Sequence, residues 1–341
     1  MKAKERILIH LVARDFSLWL WELLRLGAVE EIPRIWGRGF TDQVVHYNGR
    51  NCELYRYADE MEIIGNFIAH KKLGDAIFSK GAHIQFRKLV DRFRQLYEIN
   101  PGAIKNPLKH FCDIKTTLLR FYPYYHLSFM TPGAWREKFV AAHGNGRNRV
   151  LARLMKSREH SEGTVKECDI FLRTWIGAML TARGYAANMF KVLTVVEIDR
   201  FLQEDSLPSR KTLTGRLNGY ILYMGKVVSI NSFDIFLKNH HLAIARTELG
   251  SSIPHEIRGM VACRGGTIQG RVSTVFNTEE VSKFKSKGIL VTNMTSPEYL
   301  PAIKKAKAIV TDEGGITCHA AIVSREFNIP CIIGTKIATK V

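Results

Sequence analysis

The sequence predicts an α+β protein: a mostly helical N-terminal region, residues 1–250, carrying one small β-hairpin, then a compact α/β domain over 255–341. Three observations predict this. The 341 residues are enough for two domains. Apolar residues recur at helical spacing among charges through much of the first part, as in RKLVDRFRQLYEI (87–99). From about residue 257 that period gives way to short apolar runs set between glycines.

Residues 1 to about 125 read mostly helical. The N-terminal stretch MKAKERILIHLVARDFSLWLWELLRLGAV looks apolar, but Arg14, Asp15, Glu22 and Arg25 interrupt it. That breaks both a signal-peptide core and a membrane span, and predicts an amphipathic helix packed on the protein. NPGAIKNP (100–107) is punctuated by Pro101, Gly102 and Pro107 and reads as a break. FYPYYHLSF (121–129) is aromatic without a clear period, and reads as buried core in preference to an aromatic ligand platform. HGNGRNR (143–149) has the composition to grip a phosphate through backbone N–H groups, yet reads first as a solvated turn. Residues 147 to about 203 return to helix in two or three pieces. After the turn-rich SLPSRKTLTGR (206–216), GYILYMGKVVSIN (219–231) places two apolar runs around Met224-Gly225-Lys226, which predicts the hairpin.

In the C-terminal part, GTIQGRVSTVFN (266–277) is strand-like, with Gly270 as a bulge or tight approach. GILVTN (288–293) is a short strand. A helix follows around PEYLPAIKKAKA (297–308), with Ser296 as its cap and Pro297 in its first turn. AIVTD (308–312) is a strand, HAAIVSREF (319–327) a short helix, and CIIG (331–334) a strand introduced by Pro330. That order indicates an α/β domain.

Composition narrows the function classes. An apolar fraction of 46% is ordinary for a soluble protein with a core. The six cysteines are scattered, with no C-x-x-C pair, which argues against a disulfide framework or a zinc site and for a reducing, cytoplasmic setting. The net charge of +18 is spread evenly, with +5 of it in residues 255–341. No basic tail marks a nucleic-acid arm, so nucleic acid and membrane are not expected partners. The excess reads as a generally basic surface, or as attraction for phosphorylated substrates or an acidic partner.

The chemistry concentrates in AIVTDEGGITCHAAIVSREFNIPCIIGT (308–335). A buried strand ends at Thr311-Asp312, and Gly314-Gly315 let the backbone turn sharply and approach a ligand. His319 falls in the first turn of the next helix, and Ala320 and Ala321 allow close packing. A helix N-terminus offers unpaired N–H donors and partial positive charge, which a phosphoryl group needs. The imidazole supplies a nitrogen nucleophile, and its place beside the helix N-terminus favours the neutral form. The Thr317 hydroxyl is positioned to cap the helix or hold a phosphate oxygen. Cys318 and His319 are adjacent helical residues that do not face each other, so Cys318 reads as a small packing residue.

This segment closely resembles the phosphohistidine signature of phosphoenolpyruvate-utilising enzymes such as phosphoenolpyruvate synthase and pyruvate phosphate dikinase. The match runs through Gly314-Gly315-Ile316-Thr317-Cys318-His319-Ala320-Ala321, Ser324-Arg325-Glu326 and Asn328-Ile329-Pro330. Upstream, Thr295-Ser296-Pro297-Glu298-Tyr299, Arg264-Gly265-Gly266 and Gly270-Arg271-Val272 also resemble the family. The resemblance implies a swivelling, or mobile, domain with His319 as the phosphorylated residue. Gly314, Gly315, Thr317, Cys318 and Arg325 would support the phosphate loop. It implies a phosphotransferase that relays phosphate from ATP or phosphoenolpyruvate through His319 to an acceptor, pyruvate by family default. The helical part is similar, at ARDFSLWL (13–20), LTVVEIDRFL (193–202) and the Arg216…Tyr220 hairpin, to the linker that precedes the mobile domain, which implies a linker or docking region without catalytic residues.

Two parts of the full enzymes are not recognisable. Neither an ATP-grasp-like region with metal-binding carboxylates nor the repeated strand–helix series of a (β/α)₈ barrel is visible. ATP and Mg²⁺ are therefore expected through an ATP-grasp-like partner domain or subunit, with no cofactor or metal bound directly. The domain is expected to be truncated at its C-terminus, since Val341 follows soon after Gly334-Thr335. The alternative is a non-catalytic scaffold with a degenerate swivelling domain, which the intact Gly-Gly-x-Thr-Cys-His run argues against.

Overall fold

The computed structural model describes residues 5–70, 80–130, 148–229, 232–245, 256–276, 278–315 and 318–341. The chain is α+β. It divides into two compact units, one comprising Met1–Leu11 with Phe16–Ile244, the other Val12–Asp15 with Ala245–Val341.

In the first unit the N-terminal stretch is a strand before it is a helix: β1 spans Arg6–Arg14 and α1 spans Leu18–Leu26. The single helix expected there is corrected. RILIHLVAR supplies a run of β-branched and leucine residues that β3 and β6 flank in the sheet, and that pairing overrides the helical reading. Two short helix segments follow through α2, Ile32–Trp36. Strands β2 (Val44–Tyr47) and β3 (Cys52–Tyr57) form an antiparallel hairpin around Asn48-Gly49-Arg50-Asn51. Gly49 takes the left-handed conformation (φ +86°), and the Asn48 carboxamide oxygen accepts from the amides of Arg50 and Asn51 at 3.0 and 3.1 Å. Asn-Gly between apolar runs is a strong hairpin signal, and this hairpin corrects the mostly helical expectation for residues 1–125.

The helices α3 (Ala58–His70), α4 (Lys80–Tyr97), α5 (Pro107–Met130), α6 (Asn148–Ser161), α7 (Thr164–Ala182), α8 (Val195–Glu204) and α9 (Arg210–Asn218) build the rest. The aromatic run at 121–129 lies in α5 with Phe121, Tyr122 and Leu127 buried, so it is core. α8 begins with a capping box: Thr194 accepts from the Glu197 amide, and Glu197 accepts from the Thr194 amide. The expected hairpin forms as β4 (Tyr220–Tyr223) and β5 (Lys226–Ser229), with Met224 and Gly225 both at positive φ. It is the edge of a six-stranded sheet, order β5-β4-β2-β3-β1-β6, with β6 (Leu242–Ile244) parallel to β1. Helix α10, Phe233–Asn239, packs Phe236 and Leu237 against Leu8, Val44, Tyr55 and Ile221 of that sheet. The HGNGRNR segment lies, over 143–147, outside the described residues.

In the second unit β8 (Val272–Thr274), β9 (Ile289–Thr292), β10 (Ala308–Thr311) and β11 (Cys331–Ile333) run parallel, and β7 (Met260–Cys263) closes on β11 antiparallel. The strand expected over 266–277 is confined to β8, and β7 lies before it. The intervening segment is irregular, and its close approach is at Gly265, where a Cβ would sit 2.2 Å from Pro330 Cγ. At Gly270 the nearest atom would be 3.4 Å away, so the tight approach expected there is absent. The helix expected over 297–308 shortens to a 3₁₀ turn, Pro297–Tyr299, and α12, Leu300–Ile303. Pro297 and Pro301 lack the N–H that a longer helix needs. After the single turn α11, Thr278–Val281, and α12 comes α13, His319–Glu326. Ala302, Ile303, Ala320, Ala321 and Val323 of these helices share one core with Leu290, Ile309, Cys331 and Ile333 from the sheet.

Candidate functional site

The site lies at the C-terminal ends of β9 and β10, where parallel strands of α/β domains present their loops to ligands. Past Thr311 the ladder continues briefly, with Asp312 N donating to Thr292 O at 3.1 Å and Glu313 N to Asn293 O at 2.8 Å. The Thr311 hydroxyl donates to Glu313 O at 2.6 Å and tightens the turn. Gly314 then takes φ +117°, which a side chain resists, and a Cβ there would lie 2.7 Å from Cys318 Sγ. Gly315 is exposed, and its carbonyl accepts from Cys318 N at 2.9 Å. The glycine pair thus makes a close backbone approach to the helix start.

A buried carboxylate braces this loop. Asp312, 6% exposed, accepts from the Thr335 hydroxyl at 2.7 Å and from Thr339 N at 3.1 Å. Thr339 Oγ1 bonds both Asp312 and Asn293. Thr335 N also donates to Thr311 O at 3.1 Å. The loops after β9, β10 and β11 are held together by these bonds, so Asp312 is satisfied by hydroxyl and amide donors.

Cys318 occupies the N-cap of α13 in extended conformation, without a side-chain cap bond, and is 4% exposed in the domain core. This is the packing role expected of it. Thr317, expected as cap or phosphate ligand, lies outside the described residues. His319 is the first residue of α13 and half-buried. Its Nδ1 is 3.0 Å from Oγ1 of Thr295, a residue 3% exposed in the loop after β9. Thr295 was not among the site residues expected, although it opens the Thr-Ser-Pro-Glu-Tyr step that carried part of the resemblance. Its spacing of 24 residues from His319 holds no local signal, and only the parallel pairing of β9 with β10 brings the two together.

Gly314, Gly315 and Cys318 are therefore gathered around His319. Arg325 is not: it is exposed in the last turn of α13, about 9 Å along the axis at 1.5 Å per residue. Three cysteines scattered in sequence, Cys263, Cys318 and Cys331, share the core behind the site as free thiols, with Cys263 opposite Cys331 across the ladder. Burial pushes the Cys331 thiol up to about 12. Among the described residues no cluster of three or more His, Cys, Asp or Glu side chains is arranged to hold a metal. Among them, too, no helix is long and apolar enough to cross a membrane.

Residues 284–341 match the family described as PEP-utilising enzyme, mobile domain. The chain is 48% identical over 101 residues to a probable phosphoenolpyruvate synthase of Archaeoglobus fulgidus, covering 28% of this chain and 13% of that protein. It is 62% identical over 71 residues to the phosphoenolpyruvate synthase of Pyrococcus furiosus (21% and 9%) and 52% over 85 residues to that of Aeropyrum pernix (25% and 10%). The matched stretch thus spans about a tenth of the length of these curated relatives. These are named as enzymes, and the scaffold alternative finds no support among them. With its parallel sheet, its glycine turn and a histidine opening the helix behind it, the segment 284–341 is a mobile domain of the phosphoenolpyruvate-utilising enzyme family.

Proposed function

We propose that this chain is a component of a phosphoenolpyruvate synthase-like phosphotransferase, carrying a phosphoryl group on His319 between a donor site and an acceptor. The observation that carries the proposal is the imidazole at the first position of α13 with its Nδ1 edge on Thr295 Oγ1. With Nδ1–H donating to the threonine oxygen, the ring's lone pair lies on Nε2. Nε2 then attacks the donor phosphorus, an N–P bond forms, and the P–O bond to the leaving oxygen breaks. The ring becomes an imidazolium, whose Nδ1–H bond to Thr295 strengthens with the charge. The acceptor oxygen later attacks the same phosphorus and returns the lone pair to Nε2.

The helix N-terminus and the Gly314-Gly315 backbone stabilise the transferred oxyanions through N–H groups and partial charge. Cys318 packs, and Arg325 acts at the far end of the helix. The proposal assigns ATP and Mg²⁺ to an ATP-grasp-like partner domain or subunit, pyruvate to the acceptor role, residues 1–250 to linking and docking, and the cytoplasm as the setting.

The test uses the purified chain with potassium phosphoramidate, which phosphorylates imidazoles chemically, and with ³²P-labelled phosphoenolpyruvate or ATP plus its nucleotide-binding partner. Acid-labile, base-stable label is expected, and His319→Ala is expected to lose the enzymatic label. Equal enzymatic labelling of His319→Ala removes the assignment.

A further inference from the structure

The geometry points to a binding site for a small oxyanion, a carboxylate or a phosphate, at Arg56 in the N-terminal unit. Arg56 lies on β3 and is 1% exposed, one of the largest fully buried side chains in the protein. Among the described residues no carboxylate lies within ion-pair distance of its guanidinium. The one carboxylate that acts on it, Glu60, is already engaged by Arg6 at 2.9 Å and by Thr41 N at 3.1 Å. Buried charges are ordinarily paired, because desolvation is costly without an opposite charge.

The partners Arg56 does have are neutral and distant. Its terminal nitrogens reach His126 Nε2 at 3.3 Å, Gln43 Oε1 at 3.2 Å and the Tyr122 hydroxyl at 3.5 Å. Charge-assisted bonds run to about 2.7–2.9 Å, so all three are longer than a contact to an ionised acceptor. Its face lies 3.7 Å from the centre of the Phe40 ring. Burial and the neighbouring guanidinium push the His126 imidazole down, so it faces Arg56 as a neutral acceptor.

The same cluster is short of acceptors. Arg56 Nε, Gln43 Nε2 and Trp36 Nε1 are buried donors without a hydrogen-bond partner. Trp36 belongs to the cluster through its ring, 6.0 Å from that of His126. Unpaired donors on Arg56 and Gln43, beside a buried guanidinium with no carboxylate in ion-pair contact, are complemented by an anion with several acceptor oxygens. Water would supply acceptors but no charge. Carboxylate and phosphate share the chemistry, and a planar guanidinium fork fits either.

The site is closed as it stands, so an equilibrium measurement suits it, because linkage does not depend on the route of entry. All five tryptophans precede residue 180 in the sequence, and the described ones, Trp19, Trp21, Trp36 and Trp175, lie in the N-terminal unit, so tryptophan fluorescence reports its unfolding. Urea unfolding of the full chain is followed in sodium phosphate, sodium pyruvate or sodium chloride at matched ionic strength. The wild-type midpoint is expected to rise, saturably, in phosphate or in pyruvate over chloride, and the anion that acts identifies the class. Arg56→Met is expected to abolish the rise. Should that variant not fold, Arg56→Lys, which keeps the charge and loses the fork, is expected to need at least tenfold more anion for half the effect. Equal wild-type midpoints in all three salts, or a rise undiminished in the variants, overturns the site.

Discussion

Thr295→Val tests how His319 is held. Valine keeps the shape of a side chain that is 3% exposed and removes only the hydroxyl that meets Nδ1 at 3.0 Å. On the proposed mechanism the ring is neutral before transfer, and such a bond contributes about 1 kcal/mol net. In the transition state the ring gains positive charge, and a bond to a charged group contributes about 1.5–3 kcal/mol. Only the difference, about 0.5–2 kcal/mol and centred near the value of one decade, enters the barrier. Phosphorylation of His319 should therefore slow roughly tenfold, since about 1.4 kcal/mol corresponds to one decade. Rapid-quench labelling with the donor and its partner measures this, and unfolding by urea should show a loss of only about 1 kcal/mol in the C-terminal unit. Thr295→Ser, which restores the hydroxyl, should recover most of the rate. Wild-type labelling by Thr295→Val, or a serine variant as slow as the valine, refutes the positioning role.

Gly314→Ala places a Cβ 2.7 Å from Cys318 Sγ at a backbone with φ +117°. It should cost about 1–3 kcal/mol in the stability of the C-terminal unit, read by chemical denaturation, and should reduce labelling of His319. Cys318→Ala leaves the core nearly filled and should retain labelling within about twofold, because no step uses the thiol; loss of labelling in a folded Cys318→Ala protein contradicts its packing role. Glu53 has a clear pH signature: burial raises it, but the His46 imidazole 3.9 Å away and the hydrogen bond from the Tyr55 hydroxyl at 2.5 Å outweigh burial and hold it at about 2 against an ordinary 4.5. A lowered carboxylate contributes stability that is present above the unfolded value and is lost as pH falls. Tryptophan-detected unfolding should thus show up to about 3 kcal/mol disappearing between pH 4.5 and 2, and Glu53→Gln should flatten that window.

The second unit was largely legible in sequence because its elements are short and punctuated. Gly288, Pro330 and the Gly314-Gly315 pair delimit β9, β10 and β11 within a residue or two of the expected spans. Where the reading erred, long-range partners decided. RILIHLVAR carries too few polar residues for its period to distinguish a strand from a helix, and its neighbours β3 and β6 in the sheet resolve the choice. The β2–β3 turn was signalled by Asn48-Gly49 but embedded in a stretch read as helical. His319 and its glycines were readable because they are contiguous. Thr295 was not, since its contact with the ring depends on the register of β9 beside β10. Arg56 is likewise invisible in sequence: one arginine among 50 lysines and arginines acquires meaning only when burial strips it of water and of a carboxylate.

The most direct measurement is to locate the phosphoryl group. After incubation with donor and partner, the intact chain is digested at alkaline pH and the acid-labile phosphopeptide is sequenced by mass spectrometry, with ³¹P NMR to assign the ring nitrogen. A single phosphoryl group on His319, attached at Nε2, is the predicted result. Phosphate on any other of the twelve histidines, or on a serine, threonine or cysteine in a chain whose His319 stays unmodified, contradicts the account.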